Sequence, residues 1–312
     1  MIDVAIIGAG VTGLSIAAQV SAGGRSVCII ERRPRPGMET STHNSGVIHA
    51  GLYYPAGTLK AQLCVEGAAR LYAFCAAQRV PHERCGKLVV ASSEEEVPQI
   101  EKLAALGQAN GAEGLEIVGP QFIRAREPHV AGRAALWSPG TGRVEPEALV
   151  KALLQLAESH DAFFLRGTSL LGGEWSGGHF SLRTEHETIT ARVVVNAAGL
   201  HADEVSAMLG GETFTIYPCR GEYAELKKSR AHWLNGLVYP LPHPKGHGLG
   251  VHLTKTTGGS VLLGPTVRFQ ERKDDYESDR LPVEEFLEPT RLLMRETSTD
   301  VPSATRFVTA AT

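Results

Sequence analysis

The stretch IDVAIIGAGVTGLSIAAQVSAGGRSVCIIE, residues 2–31, decides the fold. Residues 2–7 form a short apolar run rich in β-branched side chains, the composition of a strand. Gly8, Gly10 and Gly13 follow at G-x-G-x-x-G spacing, LSIAAQV places apolar residues at helical intervals, Gly23 and Gly24 stop the helix, and SVCIIE reads as a second strand ending in Glu31. A glycine triplet alone is weak evidence, but here each glycine has a mechanical task. Gly8 makes the tight turn, Gly10 lets the backbone approach a pyrophosphate, and Gly13 lets the helix pack on the strand. The start of the helix, at Val11 and Thr12, offers unpaired N–H groups to phosphate oxygens. Glu31 stands 18 residues after Gly13, where a carboxylate accepts hydrogen bonds from ribose hydroxyls. A turn without nucleotide would leave Glu31 as a chance surface residue.

The 312 residues, 43% hydrophobic and 21% charged, are enough for two domains or one large interleaved unit, and a chain of this size buries about 75% of its unfolded surface. The 31 basic and 34 acidic residues are well mixed and give a net charge of -3, which argues against nucleic acid as a partner. Cys28, Cys64, Cys75, Cys85 and Cys219 are odd in number, never spaced C-x-x-C and mostly set in apolar runs, the usage of reduced thiols. The chain opens directly into a strand, and no apolar run approaches the ~18 residues of a membrane span. The expectation is a cytoplasmic protein with no integral membrane segment, possible peripheral attachment to the inner membrane leaving no mark of this kind.

NAD and FAD both use such a fold, and the segment after Glu31 discriminates between them. RRPRPGMETSTHNSGVIHAG is a loop of turn formers and short polar side chains instead of the next βαβ unit. Such a loop can lie along an extended cofactor, with Ser41, Thr42, Asn44, Ser45 and their amides facing pyrophosphate and ribityl oxygens and Gly46 allowing close approach. The imidazoles of His43 and His49 would then reach the ring end of a flavin. A glycine-rich surface loop with solvated histidines is the alternative, but it does not account for the apolar-flanked continuation VIHAGLYYP.

STHNSGVIHAGLYYPAGTLKAQLCVEGAARLY and CGKLVVA at 85–91 resemble the flavoproteins of the D-amino-acid oxidase superfamily, most closely the L-2-hydroxyglutarate dehydrogenases. ARVVVNAAGLHAD at 191–203, YPCRGEY at 217–223 and GLGVHLTKTTGGSVLLGPT at 248–266 follow in that family's order, and the resemblance covers roughly residues 1–290. It implies an α/β fold, a Rossmann-type FAD-binding domain interleaved with a mostly antiparallel β substrate domain. It also implies FAD as cofactor, a small 2-hydroxy acid as substrate, and a quinone-linked acceptor or oxygen. The cofactor set it implies is Gly8, Gly10, Val11, Thr12, Gly13, Glu31, Arg32, Ser41, Thr42, His43, Asn44, Ser45, Gly46, Leu170, Ala198 and Gly199. His49 is the implied catalytic base, and chemistry points the same way: oxidising a secondary alcohol requires removal of the hydroxyl proton, which suits an imidazole. An amino-acid or amine oxidase of the same fold is the neighbouring reading.

The expected cofactor unit is residues 1–81 and 143–210 with part of 286–312, and the substrate unit 82–142 and 211–285. GRVEPEALVKALLQLAESHD at 142–161 reads as an amphipathic helix and RVVVNAAG as a buried strand. A dicarboxylate needs fixed cations, and Arg220, Lys255 and Arg268 lie in the expected substrate segments, Arg220 being favoured because a guanidinium can pair a carboxylate bidentately. His252 is a further candidate for the pocket. His243, His247 and His252 share no helical face and have no thiol or carboxylate among them, so no metal site is expected. KTTGGS at 255 lacks the S-x-x-K nucleophile of the hydrolases it superficially matches. After residue 293 the chain reads polar and irregular, without the strand and helix that close the flavin site in this family; a flavin-fold remnant with little catalysis is the reading that follows if those elements are missing.

Overall fold

The computed structural model describes residues 1–242 and 249–294 and the backbone of 307–311. A six-stranded sheet forms around Ile2–Ile7, which pairs in parallel with Val27–Glu31 on one side and Thr188–Asn196 on the other. Phe163–Arg166 extends it in parallel beyond Val27–Glu31, and the hairpin of Leu170–Ser176 and His179–Thr184 extends it antiparallel beyond Thr188–Asn196. Alternation along the central strands builds two cores. Ile6 and Ile29 face the helices Val11–Ala22 and Pro146–Glu158 through Leu14, Ala17, Leu149 and Leu153. Ala5, Ile7, Cys28 and Ile30 face the opposite way, towards Leu182, Ile189 and Val205. Thr188–Asn196 is less enclosed than its run of valines predicts: Ile189 and Ala191 are buried, but Val193 is half exposed.

The second sheet is mixed and mostly antiparallel. Its order runs Arg268–Phe269, Cys219–Glu225, Val261–Gly264, His252–Lys255, Leu237–Pro240, Lys87–Ala91, Ala134–Ser138, Glu116–Val118, and only Leu237–Pro240 with Lys87–Ala91 is a parallel pair. Leu88 and Val90 point into a core with Trp137, Val238, Leu253 and Phe286. Lys87, Val89 and Ala91 share the other face, where Ile100 and Leu103 of the helix Val97–Ala109 pack with Tyr239. The chain passes between the two large sheets beside a small third sheet of Val47–Ile48, Gly142–Val144 and His82–Glu83.

Two expectations about the last residues need correction. The helix Glu284–Leu293 buries Phe286, Leu287 and Leu293 against the second sheet, so this part of 286–312 belongs with that sheet and not with the nucleotide unit. Residues 307–311, read as irregular, form the strand Phe307–Ala311, antiparallel to Cys219–Glu225. The alternation of FVTAA is too short to announce a strand, and pairing with an existing edge supplies what local propensity does not.

Candidate functional site

The turn after Ile7 is built as its glycines require. Gly8 has φ +105°, and a Cβ there would fall 2.5 Å from the Ala197 carbonyl oxygen; a Cβ on Gly13 would fall 2.0 Å from the Gly8 carbonyl oxygen. Both contacts are with backbone, so no side-chain movement relieves them. A cleft of about 230 Å³ opens beside this turn, lined by Gly8, Gly10, Glu31, Arg32, Glu39 to Ser41, Thr168 to Leu170 and Ala197 to His201. A Cβ on Gly10 would reach within 2.9 Å of Ser41 Oγ across it, so the bare backbone keeps the cleft open. Ser41 Oγ accepts from the Val11 amide at 2.9 Å, while the side chains of Val11 and Thr12 do not line the cleft.

Glu31 Oε2 accepts from the Ala9 amide at 2.8 Å and Oε1 from the Arg33 amide at 2.7 Å, which fixes the carboxylate at the mouth of the turn with lone pairs to spare. Arg32 pairs with Glu39 and lies 2.8 Å from His201 Nε2. Burial pushes the Glu39 carboxyl up, but hydrogen bonds from Arg32 and Arg33 outweigh it and hold the group below its ordinary value. Leu170, Ala198 and Gly199 lie on the cleft wall.

Beyond Ser41 the loop turns its side chains inward. Thr42 Oγ1 donates to the Gly37 carbonyl, His43 Nδ1 lies 2.7 Å from the Glu39 carbonyl oxygen, and Asn44 Nδ2 donates to the carbonyls of Thr40 and Ser41 while its Oδ1 accepts from the Gly46 amide. Thr42, His43 and Asn44, expected to face the cofactor, bond within the loop and are not among the residues that line this cleft or the second cavity described below. Gly46 is also explained differently: at φ +69° its Cβ would lie 2.4 Å from the Val144 carbonyl oxygen, so the strand Gly142–Val144 is what approaches it. His43 stacks on Tyr276 at 4.4 Å.

A second cavity, about 310 Å³, is lined by Ser45, His49, Cys219, Tyr223, Tyr239, Leu249, Gly250, His252, Pro265, Val267 and Phe269. His49 and His252 thus come from segments two hundred residues apart in sequence to one pocket. His49 Nδ1 is buried and has no hydrogen-bond partner among the described residues. Burial, reinforced by the positive charges of Lys87 and Lys60, lowers the His49 pKa to about 3. His252 stacks on Tyr239 with ring centroids 3.7 Å apart, its Nδ1 lies 2.9 Å from the Gly250 carbonyl oxygen, and burial and Lys87 lower its pKa to about 3 as well. His243 and His247 lie outside the described residues.

None of the three expected cations lines this cavity. Arg220 is 2% exposed; it donates to Glu222 Oε1 at 2.8 Å and to the Asp279 carbonyl at 3.1 Å, and lies 3.7 Å from Asp275. Lys255 Nζ donates to the carbonyls of Ala231 and Leu234, and Arg268 lies 3.8 Å from Glu222 and donates to the Ser278 carbonyl. Each sits on a strand of the second sheet, and strand residues alternate faces, which sequence reading without register cannot resolve. The residues that the sequence does not single out are Tyr223, Glu39, His201 and Lys87, inside quoted motifs but without a spacing signal of their own, and Tyr239, which lies outside every quoted motif.

A dinucleotide-holding turn at the first sheet and a second cavity that brings half-buried His49 to buried His252, with Ser41 and Ser45 of one loop facing the two cavities, define a flavin-dinucleotide oxidoreductase. The chain belongs to the family described as FAD dependent oxidoreductase, whose model matches residues 3–306. It is similar to the mitochondrial L-2-hydroxyglutarate dehydrogenases of Caenorhabditis briggsae (33% identical, covering 92% of this chain and 68% of that protein) and Homo sapiens (32%, 88% and 62%). The L-2-hydroxyglutarate dehydrogenase of Escherichia coli is 34% identical, over 88% of this chain and 66% of that protein. The chain thus spans roughly two thirds of the length of these relatives. Among solved structures, the fold is that of L-alpha-glycerophosphate oxidase from Mycoplasma pneumoniae with FAD bound (TM-score 0.89, 24% identity, 99% of this chain and 82% of that one). It is also that of glycine oxidase from Geobacillus kaustophilus (TM-score 0.86, 21%, 99% and 82%).

Proposed function

We propose that the protein oxidises a small 2-hydroxy diacid, L-2-hydroxyglutarate, to 2-oxoglutarate. The observation that carries this is the pairing of His49 and His252 in one cavity whose described walls hold no carboxylate. The names of the similar dehydrogenases support the choice of acid. Residues 1–81 with 143–210 form the cofactor unit and 82–142 with 211–285 the substrate unit in this reading.

Bound FAD supplies the acceptor for the hydrogen that leaves the carbinol carbon with its bonding electron pair. The turn Gly8 to Gly13, Glu31, Ser41 and Gly199, which share one cleft, would hold its nucleotide end, and Ser45 lines the second cavity. His49 accepts the hydroxyl proton on its imidazole, which no described residue engages at Nδ1. Unprotonated at neutral pH, it is ready as acceptor but weak as a base. Two substrate carboxylates correct this, because nearby negative charge raises the proton affinity of an imidazole. An anionic substrate therefore activates the base on arrival, which a neutral alcohol does not. Tyr223 and Tyr239 offer hydroxyls to the carboxylates, and burial pushes both phenols up, so they remain donors.

The electron acceptor in this reading is quinone-linked or oxygen, and the place of work the cytoplasm with peripheral attachment to a membrane; no described helix is long and apolar enough to cross one. Anaerobic mixing of the flavin-loaded protein with L-2-hydroxyglutarate tests the proposal. Bleaching of the flavin is expected. Absence of bleaching with this and related 2-hydroxy acids overturns it, and bleaching by glycine or proline instead transfers the site to amine chemistry.

A further inference from the structure

Lys87 opens the strand Lys87–Ala91 and is wholly buried, yet its Nζ donates no hydrogen bond to any described residue. It sits 4.5 Å from the ring centroids of both Tyr53 and Tyr239. Tyr239 lines the histidine cavity and carries His252 stacked on its ring, so one aromatic ring separates the ammonium from the pocket. The titratable groups around Lys87 are Tyr53 on the loop after His49, Cys64 on the helix Leu59–Gln78, Tyr239 and His252 on their strands, and His49 itself. No carboxylate is among them.

A buried ammonium without counter-charge is costly, and proteins hold one in place only where something offsets it. Tyrosine π-faces do so in part. Anionic ligands would complete the offset, and the cavity on the far side of Tyr239 is where the 2-hydroxy diacid of the preceding section binds. Resting on that reading, we propose that Lys87 is the counter-charge for the substrate carboxylates, a positioning residue acting across the Tyr239 ring, and that binding an anion draws a proton onto it. Burial agrees with this, lowering the Lys87 pKa to about 7, so that much of the population is neutral above neutral pH until an anion arrives.

The test uses the flavin-loaded protein and glutarate, which has both carboxylates but no hydroxyl to oxidise. Titration calorimetry at pH 8 in buffers of different ionisation enthalpy counts the protons taken up. Wild type is expected to take up close to one proton per glutarate, as linkage demands for one group whose pKa rises through the working pH. K87M is expected to bind about tenfold more weakly, with uptake abolished, the loss of a charge acting through protein at an intermediate dielectric. K87R, charged at every pH, is expected to keep more of the affinity than K87M and take up no proton, a split that loss of packing does not produce. Buffer-independent heats in wild type overturn the proposal whether or not the variants fold, as does undiminished uptake in K87M, which assigns the proton to the histidines, or failure of glutarate to bind. Proton-coupled glutarate binding with no flavin bleaching by any hydroxy acid supports Lys87 while removing the substrate reading. Bleaching by L-2-hydroxyglutarate without proton uptake on glutarate binding removes the Lys87 assignment alone.

Discussion

Acidification from pH 7 to pH 5 should destabilise this protein through His49 and His252 in particular. Both are held neutral by burial, with pKa values near 3 against an ordinary value of 6.5. The sign follows from where protons bind. Below pH 6.5 the unfolded chain protonates both imidazoles while the folded chain protonates neither, so stability falls as pH drops from 6.5 towards 3 and levels off below that. At pH 5 the unfolded imidazole lies one and a half pH units below its ordinary value, so each histidine costs about 2 kcal/mol relative to pH 7. The pair together costs about 4 kcal/mol, since neither imidazole is protonated in the folded chain over this range and the two titrate independently in the unfolded one. Glu127 and Glu222, whose carboxyls burial pushes up, act in the opposite sense over the same range, so the total change in wild type is not the diagnostic quantity. The difference between proteins is. Urea unfolding of wild type, His49→Gln, His252→Gln and the double variant at both pH values isolates it. Each single variant should lose about 2 kcal/mol less than wild type between pH 7 and pH 5. A double variant that loses as much stability as wild type would falsify the account of the histidines as buried and neutral.

Three further outcomes follow from the same geometry. Gly13→Ala should lower both melting temperature and flavin content, because its Cβ meets the Gly8 carbonyl at 2.0 Å, whereas Gly67→Ala, in the open on the helix Leu59–Gln78, should raise stability by up to ~1 kcal/mol; equal melting temperatures for the two would contradict the contact. Glu31→Ala removes the acceptor of the Ala9 and Arg33 amides as well as the ribose contact, and about 1.5–3 kcal/mol of charge-assisted bonding with it, which should appear as flavin lost on gel filtration. His49→Ala should retain flavin and slow its reduction by roughly 10²–10⁴ in stopped-flow traces; a wild-type rate would move the base to His252.

The nucleotide unit was legible because its constraints are local. Gly13 and Glu31 answer to the Gly8 carbonyl and the Ala9 amide inside one strand–turn–helix–strand, and the glycine spacing marks Gly8 and Gly10 although the atoms that crowd them, on Ala197 and Ser41, lie outside it. The place of His49 in a cavity was legible for a different reason: the motif around it resembles a family's, and the structure brings it beside His252. Polar residues of the 41–46 loop were not. A serine or asparagine in a turn can face a ligand or its own backbone, and the choice depends on how the loop closes. Asn44 took the second course, bonding Thr40, Ser41 and Gly46, and Ser41 kept its hydroxyl on the cleft wall.

Charge in the substrate unit was the least readable quantity, and for a physical reason. Arg220, Lys255 and Lys87 all sit on strands, where a side chain faces one way or the other with the register, and register here is set by pairing between segments far apart in sequence, as between Lys87 and Leu237. A guanidinium in a family-like motif looked like the substrate's partner, yet Glu222 two residues on took it through a bond inside the same strand. Lys87 carried no such signal, being one cation in the apolar run CGKLVVA, a pattern in which a lysine ordinarily marks a strand end. Its neighbours decide its meaning: Tyr53 and Tyr239 lie on either hand, and among the described residues no carboxylate neutralises it. Arg220 is held by Glu222 and Lys87 by two tyrosine rings alone, and this difference in what answers each charge is what singles out Lys87 as the cation to test.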